Sequence, residues 1–227
     1  MKILIDVMTL FPKIFESIMN EGIIGRAIKS RLIELTCHQI RDFSCNKHRR
    51  IDDYPYGGGK GMIMMAEPIF QTFENIKKIR KTTPYLIYLS PRGNLLNQNN
   101  IKMLSTKKNI SILCGRYEGV DQRLIDEIVD EEISIGDYVL SGGEIPALVL
   151  LDSILRIIPG VLPSSECFEN ESHYNRLLEY PQYTRPKVWR NKKIPDVLIS
   201  GNHRKIEMWR KKKSYECTKI MRSDLLT

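Results

Sequence analysis

Residues 110–144 read ISILCGRYEGVDQRLIDEIVDEEISIGDYVLSGGE. The apolar run at their start ends at Leu113, a loop with two glycines follows, and a helical pattern extends from Asp121 to Val129. A second apolar strand ends at Ile135, again directly before a glycine. A strand, a helix and a second strand in this order predict a βαβ unit with parallel strands.

The same alternation of strands and helices extends over the first 160 residues. Strands are predicted at 2–7, 32–39, 85–89, 110–113 and 132–135. Helices are predicted at 12–19, 23–30, 67–78, 98–105, 121–129 and 144–158. This order is typical of an α/β fold with a mainly parallel sheet, so residues 1–160 are expected to form one such domain.

The regular pattern ends after Pro159-Gly160. Residues 161–175 are polar and rich in turn-forming residues, which predicts a flexible linker. Within residues 176–227, the sequence HRKIEMWRKKKSYECTKIM from His203 to about Met221 predicts a strongly basic helix. We therefore expect a small helical domain at the C-terminal end of the chain.

The charge of the chain is unevenly distributed. The 227 residues include 35 Lys/Arg and 27 Asp/Glu, a net charge of +8, and a hydrophobic content of 42% rules out wholesale disorder. The charge balance is +9 over residues 1–115, −10 over residues 116–179 and +9 over residues 180–227. Two basic segments around an acidic one indicate a polyanionic partner that the flanking segments hold.

Cysteine usage and hydropathy indicate the compartment. Five widely spaced cysteines without a Cys-x-x-Cys pair argue against a disulfide framework. A zinc site at Cys37, His38, Cys45 and His48 is disfavoured, because neighbours such as Cys37 and His38 point to opposite faces of a strand. We find no signal-peptide pattern and no uninterrupted apolar stretch of membrane-spanning length. We therefore expect a cytoplasmic protein with no membrane partner and no metal site.

The glycines distinguish several kinds of ligand-binding loop. No glycine follows the first strand, which argues against a dinucleotide-binding turn, and GGGKG at 57–61 lacks the Ser/Thr of a P-loop. That loop is either a flexible surface turn or a loop that offers backbone and Lys60 to a phosphate. Two consecutive strands are followed by glycine-rich loops, with Gly115, Gly119, Gly136, Gly142 and Gly143. Such loops predict a site where backbone approaches a flat ligand, and tight strand-to-helix turns are the alternative.

The aromatic residues of the C-terminal segment have two interpretations. Trp189 and Trp209 lie among Arg and Lys residues, with Tyr180 and Tyr183 nearby, as on surfaces that bind nucleic acid. The same residues suit a small hydrophobic core, which is the favoured interpretation for Trp209. The run of cations at 210–213 is more concentrated than a solvated helix face requires.

Several motifs occur in collinear order over essentially the whole chain and together resemble one family. They are DDYPYGGGKGM at 52–62, LCGRYEGVDQR at 113–123, EEISIGDYVLSGGEIPA at 131–147, IPGVL at 158–162, YPQYTRP at 180–186 and VLISGNH at 197–203. In these motifs the chain is similar to the bacterial tRNA (guanine-N1)-methyltransferases of the SPOUT superfamily. The resemblance implies that the parallel sheet is tied in a deep trefoil knot.

The resemblance also implies an activity and its partners. Members of the family are homodimers that transfer a methyl group from S-adenosylmethionine to N1 of guanosine 37 of tRNA, 3′ of the anticodon, which supports reading-frame maintenance. Each active site is shared between a knot and the partner's C-terminal domain, and Mg²⁺ is a possible further cofactor. Two alternatives stay open: a tRNA-binding homologue with lost or reduced catalysis, and a knotted methyltransferase that acts on a ribose hydroxyl.

The matching positions define the expected site. For the cofactor they are Tyr88, Leu89, Pro91, Gly115, Tyr117, Glu118, Gly119, Ile135, Gly136, Asp137, Tyr138, Val139, Leu140, Gly142, Gly143 and Pro146. For tRNA they are Asp52, Gly58, Gly59, Lys60, Arg185, Asn202, His203, Arg204 and Lys211. The catalytic positions are Glu171, which is expected to take the N1 proton, and Arg156, which is expected to face the charge that develops on O6.

Position 171 departs from the family pattern. The family has Asp followed by Ser-Phe, whereas this chain has Glu171 followed by Ser172-His173. The carboxylate is retained but lies one methylene further out, and about 1 Å of misplacement can cost on the order of a hundredfold in rate. Glu169 is the alternative base. Arg92 also replaces the family's usual Gln, while its neighbour Pro91 matches.

Overall fold

The computed structural model describes residues 2–226, in which strands and helices alternate along the first two thirds of the chain. The elements are β1 (Ile3–Thr9), α1 (Glu16–Asn20), α2 (Gly22–Lys29), β2 (Ile33–Gln39), β3 (Asp52–Asp53), β4 (Ile63–Met64), α3 (Ala66–Arg80), β5 (Tyr85–Leu95), α4 (Gln98–Leu104), β6 (Asn109–Cys114), α5 (Gln122–Ile128), β7 (Glu131–Ser134), α6 (Glu144–Leu155), α7 (Glu166–Glu169), β8 (Val188–Trp189), β9 (Lys192–Lys193) and α8 (His203–Met221). The predicted α/β class is confirmed. The chain divides into two compact units, one up to Pro163 and one from Ser164 onward.

A five-stranded parallel sheet forms the centre of the first unit. Its strand order is β2-β1-β6-β5-β7, and every neighbouring pair is parallel. Val7 of β1, Ile112 of β6 and Ile87 of β5 lie side by side and are fully buried. Strands covered by helices on both faces need such continuous apolar runs, which explains why the sequence pattern predicted the mainly parallel sheet correctly.

Strand β5 is longer than its apolar run. The sequence predicts that it ends at Leu89, but it continues to Leu95, and its pairing with β7 shifts between Leu89 and Asn94. A Cβ atom at Gly93 would lie 2.4 Å from the backbone nitrogen of Ile133. The extension therefore needs a glycine, because no side chain fits between the two strands.

Local capping explains several helix starts. The side chain of Asn97 accepts hydrogen bonds from the backbone of Asn99 and Asn100 and forms a capping box at the start of α4. Asp121 caps α5 in the same way, with its carboxylate 3.0 Å from the backbone nitrogen of Arg123. Gly22, with a φ of +63°, follows the C-cap residue of α1 and is also the first residue of α2.

A buried ion cluster joins β1, β2 and the end of α3. Arg80 donates two hydrogen bonds of 2.9 Å to the carboxylate oxygens of Asp6, and the side chain of Asp6 is only 1% exposed. The guanidinium also bonds Glu34, and His38 Nε2 lies 2.7 Å from Asp6 Oδ1. Burial by itself raises the pKa of Asp6, but the bonds from His38 and Arg80 outweigh it and hold that pKa below its ordinary value. The bond from Arg80 is the main cause that lowers the pKa of Glu34 to about 2.

The second unit is built around helix α8, whose predicted bounds are confirmed. The backbone N–H of Leu178 donates to Thr218 Oγ1 over 2.8 Å and thereby ties the preceding segment to the helix. Tyr180 and Tyr183 each lie 6.5 Å from the half-buried ring of Trp209, so Trp209 belongs to a packed aromatic cluster. The sequence missed the hairpin of β8 and β9, and the stretch predicted as a linker contains α7. Within residues 2–226, every helix is too short or too polar to span a lipid bilayer.

Candidate active site

An open cavity of about 1370 Å³ is lined by residues 88–92 of β5 and by the loops that follow β6 and β7. Parallel strands end at the same edge of a sheet, so the loops after β6 and β7 converge there. All the predicted cofactor residues except Asp137 line this cavity. The predicted glycines lie in the loops after β6 and β7, which line the cavity on either side of β5. The ligand of these residues stays a prediction.

The glycines allow two of these loops to cross at close range. The backbone N–H of Gly143 donates to the carbonyl of Gly115 over 2.8 Å. A Cβ atom at Gly143 would lie 2.7 Å from Cys114 Cα, and one at Gly115 would lie 2.8 Å from the ring of Tyr88. Burial raises the pKa of the Tyr88 phenol above its ordinary value, so Tyr88 stays protonated at neutral pH and can donate a hydrogen bond.

Replacing Gly143 with Ala is expected to lower the free energy of unfolding by about 1–3 kcal/mol, because the added methyl group meets backbone that cannot rotate away. Chemical denaturation followed by far-UV circular dichroism measures the change. Ser141→Ala, in the same exposed loop, is the matched control and is expected to leave the midpoint unchanged. A Gly143→Ala protein as stable as the parent contradicts the close crossing.

A buried salt bridge fixes the loops around the cavity. Glu144 is 1% exposed and accepts hydrogen bonds from Arg116 Nε over 2.9 Å and from Thr9 Oγ1 over 2.8 Å. Arg116 also donates to the carbonyl of Ser141 and packs over the ring of Phe11 at 4.5 Å. Glu144 lies in the first turn of α6, where a carboxylate interacts favourably with the helix dipole. Sequence analysis missed this cluster, because Thr9 and Glu144 are 135 residues apart.

The loop at 52–62 lies against the cavity. The backbone N–H of Glu118 donates to the carbonyl of Met62 over 3.0 Å, and Met64 bonds the carbonyl of Gly119 over 2.9 Å. A Cβ atom at Gly61 would lie 2.5 Å from the side chain of Glu118. The predicted tRNA residue Asp52 pairs with Met64 in the sheet of β3 and β4. The other predicted tRNA residues of this loop are exposed: Gly58, Gly59 and Lys60.

Comparison with known proteins decides the family. Residues 1–227 match the family described as tRNA (Guanine-1)-methyltransferase TrmD. The chain belongs to the tRNA (guanine-1)-methyltransferase family. It is 52% identical to the tRNA (guanine-N(1)-)-methyltransferase of Ruminiclostridium cellulolyticum over 97% of this chain and 94% of the relative. It is 53% identical to that of Clostridioides difficile over 96% and 95%, and 52% identical to that of Buchnera aphidicola over 98% and 90%.

The two predicted catalytic residues of this methyltransferase family member belong to different units. Arg156 is the C-cap residue of α6 in the first unit and is half-buried. Glu171 lies in the second unit, just after α7, and is also half-buried. Its backbone N–H donates to the carbonyl of Phe168 over 3.1 Å, so it lies on an ordered turn. The catalytic roles of both residues stay predictions.

The remaining tRNA residues predicted from the methyltransferase family lie in the second unit. Arg185, His203 and Arg204 are exposed. Asn202 caps α8, because its side chain accepts a hydrogen bond of 3.0 Å from the backbone of Lys205. Lys211 pairs with Glu207 at 2.8 Å, and such an exposed pair is worth little in water, so the ammonium group can exchange partners easily. Their contacts with tRNA stay predictions.

Cys37, His38, Cys45 and His48, the residues of the disfavoured zinc site, do not form a cluster. His38 bonds Asp6, and burial, with the charge of Asp6 as the smaller cause, raises the pKa of the Cys37 thiol to about 11. Cys45 and His48 are exposed. Among residues 2–226, no group of three or more His, Cys, Asp or Glu side chains is placed to hold a metal ion.

Proposed function

We propose that this chain transfers a methyl group from S-adenosylmethionine to N1 of guanosine 37 of tRNA and so supports maintenance of the reading frame. The observation that carries the proposal is the glycine-lined cavity beside β5 and at the ends of β6 and β7. It occurs in a chain whose relatives, at 52% and 53% identity over nearly their whole length, are named for this reaction. A tRNA-binding homologue without catalysis is therefore not favoured.

The cavity suits this cofactor in shape and charge. S-adenosylmethionine supplies a methyl group activated by a positively charged sulfonium. Gly115, Gly142 and Gly143 expose backbone to a flat purine, since side chains are absent there. Tyr88 offers a phenol donor, and Glu118 brings a carboxylate that complements a cation.

The acceptor base requires two further groups from the protein. N1 of guanine carries a proton at neutral pH, and a general base must remove it during methyl transfer. We assign this role to Glu171. Negative charge then develops towards O6, and the guanidinium of Arg156 is the cation that we assign to stabilise it.

The proposal includes the deep trefoil knot of the SPOUT superfamily. Most protein chains avoid knots, so this part of the proposal rests on membership of the family. Backbone approaches backbone closely at two glycines of the first unit. A Cβ atom at Gly93 would lie 2.4 Å from Ile133 N, and one at Gly143 would lie 2.7 Å from Cys114 Cα.

A homodimer is part of the same proposal. Helix α6 is apolar nearly all round, and its outer face leaves Ile145 53% and Val149 42% exposed. Exposed apolar side chains of this kind on a rigid helix are typical of protein interfaces. The resemblance implies that the C-terminal domain of such a second copy completes the active site.

The tRNA contacts divide between the two units. We assign residues 1–160 to the cofactor, residues 161–175 to a linker, and residues 176–227, with their +9 excess of charge, to tRNA binding. Asp52, Gly58, Gly59 and Lys60 are assigned to the tRNA beside the cavity. Arg185, Asn202, His203, Arg204 and Lys211 are assigned to its phosphates. We propose the cytoplasm as the compartment of the protein, which is consistent with a tRNA substrate.

Mg²⁺, which the resemblance implies as a possible cofactor, finds no matching ligand set in the described part of the chain. A Mg²⁺ site uses carboxylate and other oxygen ligands. Within residues 2–226, no group of three or more His, Cys, Asp or Glu side chains is placed to hold a metal ion, so we assign no magnesium ligands. The proposed reaction therefore includes no step through a magnesium ion.

The experiment is methyl transfer from labelled S-adenosylmethionine to a tRNA transcript with guanosine at positions 36 and 37, followed by mass spectrometry of the nucleosides. We expect N1-methylguanosine, because the proposed base and cation both act at the edge of the base that carries N1 and O6. A transcript with adenosine at position 37 is the matched control and is expected to stay unmethylated. Methyl on a ribose, or tRNA binding without methyl transfer, overturns the proposal.

A further inference from the structure

The hairpin of β8 and β9 is exposed to solvent along its whole length. Every residue from 181 to 193 is exposed. The strands pair Val188 with Lys193 and Trp189 with Lys192 around a two-residue turn. An isolated two-stranded hairpin is marginally stable in water and contributes little to a core. Packing of the second unit therefore does not account for this hairpin.

The two turn residues keep the strands twisted and closed. Arg190 has a φ of +46° and Asn191 a φ of +61°, the left-handed pair that a type I′ hairpin turn requires. An arginine in this conformation costs free energy that a glycine does not. The turn thus carries the cation of Arg190 at a position where glycine would have the lowest backbone strain.

A tryptophan and several cations share this hairpin. The Trp189 side chain is 59% exposed, and the guanidinium of Arg190 lies 5.0 Å from its ring centre. Because directly paired residues lie on the same face of a hairpin, Lys192 lies on that face with Trp189. Residues 181–195 contain five Lys/Arg and no Asp/Glu: Arg185, Lys187, Arg190, Lys192 and Lys193.

We propose that this hairpin is a stacking site for an unpaired RNA base, with Trp189 against the base and the surrounding cations against the neighbouring phosphates. An exposed indole beside cations fits a single-stranded segment, because an unpaired base offers a flat π-face while its backbone is anionic. A base-paired helix hides these faces. The proposal rests on the proposed function only in taking the loop of a tRNA stem-loop as the natural source of the unpaired base.

Trp209 differs from Trp189 in its surroundings. The ring of Trp209 packs with Tyr180 and Tyr183, whereas that of Trp189 contacts Arg190 at the exposed turn. The two interpretations that the sequence allowed for the tryptophans therefore apply to different residues. The packed cluster supports the unit, and the exposed ring is available to a ligand.

The test compares two RNAs with full-length protein at one salt concentration. One is a stem-loop with a seven-nucleotide loop, and the other is a blunt duplex with the same number of phosphates. Trp189→Ala is expected to weaken binding of the stem-loop by about fivefold to a hundredfold, the usual worth of one stacked base. Binding of the duplex is expected to change less than twofold.

Three further variants separate stacking from charge and folding. Trp189→Phe retains a ring and is expected to restore most of the affinity for the stem-loop. Lys187→Gln is expected to weaken binding of both RNAs by the same factor, because both carry phosphates. Val188→Ala, at an exposed neighbour, is expected to bind like the parent. Thermal unfolding of each variant is expected to match the parent, since the hairpin is exposed.

Equal affinity of Trp189→Ala and the parent for the stem-loop overturns the proposal, as does an equal loss for both RNAs. Binding of the parent to vesicles with anionic lipid that disappears in Trp189→Ala, while RNA binding is unchanged, assigns the hairpin to a membrane surface instead and also overturns it. Methyl transfer by the parent is measured separately. Failure of that assay, with the stacking effect intact, contradicts the proposed function and leaves this inference standing.

Discussion

Replacing Glu171 by Gln is expected to slow methyl transfer to tRNA by about a hundredfold to ten-thousandfold, the usual worth of a general base. Gln has the same shape as Glu but cannot accept the N1 proton. Single-turnover kinetics with excess enzyme measures the chemical step directly. The affinity for S-adenosylmethionine is expected to stay unchanged, because Glu171 is not part of the cavity that we assign to the cofactor.

The surroundings of Glu171 make this substitution interpretable. Its carbonyl accepts a hydrogen bond of 3.3 Å from the backbone of Tyr174, and its N–H bonds Phe168. The rings of Phe168 and Tyr174 lie 5.3 Å apart, and Phe168 is buried. Backbone bonds and ring packing hold this turn, so the change from carboxylate to amide is expected to leave it folded.

Glu169→Gln is the matched control for Glu171→Gln. Glu169 is also half-buried and lies two residues away, and it is the alternative base. We expect it to retain the parent rate. Glu171→Asp, which shortens the side chain by one methylene and restores the family's residue, is expected to retain most of the activity. A parent-like rate in Glu171→Gln together with a large loss in Glu169→Gln would move the base to position 169.

The parts of the fold that sequence predicted are those with a local cause. Each central strand is a continuous apolar run, and each helix has an apolar face, so the alternation and the class could be read from neighbours in the chain. The hairpin at 188–193 was missed because its turn uses Arg190 and Asn191 rather than the Asn-Gly or Gly-Gly that marks such turns. The extension of β5 was missed because it depends on pairing with β7.

The candidate site likewise contains features with a local cause, which the sequence predicts, and features that depend on contacts between distant segments. The glycines that line the cavity could be found because each follows a strand, and parallel strands bring their carboxyl ends together. The bridge from Arg116 to Glu144 and on to Thr9 could not be found, since it joins segments far apart in sequence. The order β2-β1-β6-β5-β7 likewise depends on long-range pairing that periodicity does not contain.

Replacing Arg80 by Met is expected to lower the free energy of unfolding of the first unit by about 3–5 kcal/mol at pH 7. The substitution leaves the carboxylate of Asp6 buried at 1% exposure without the two 2.9 Å bonds that compensate its burial. The bond to Glu34 is lost as well. Arg49→Met, which breaks a pair with Asp42 in which both side chains are more than half exposed, is the matched control and is expected to cost less than about 1 kcal/mol.

The measurement must report on the first unit. Both tryptophans, Trp189 and Trp209, lie in the second unit. Tryptophan fluorescence therefore reports on unfolding of the second unit and not of the first. Far-UV circular dichroism in guanidinium, with hydrogen exchange of the β1 amides, reports on the sheet instead. An Arg80→Met protein as stable as the parent by both measurements contradicts the compensating role of Arg80.

The pH dependence of this effect has a definite sign. In the parent, the pKa values of Asp6 and Glu34 are lower in the folded than in the unfolded state. Their contribution is therefore fully present above the unfolded values of about 4 and is lost as the pH falls below them. For Glu34 this loss extends down to about pH 2. Without Arg80, burial is the main influence on Asp6 and its pKa is expected to rise, so the folded variant takes up a proton as the pH falls. The difference in stability between parent and variant is consequently expected to be largest near pH 7 and to shrink below about pH 4.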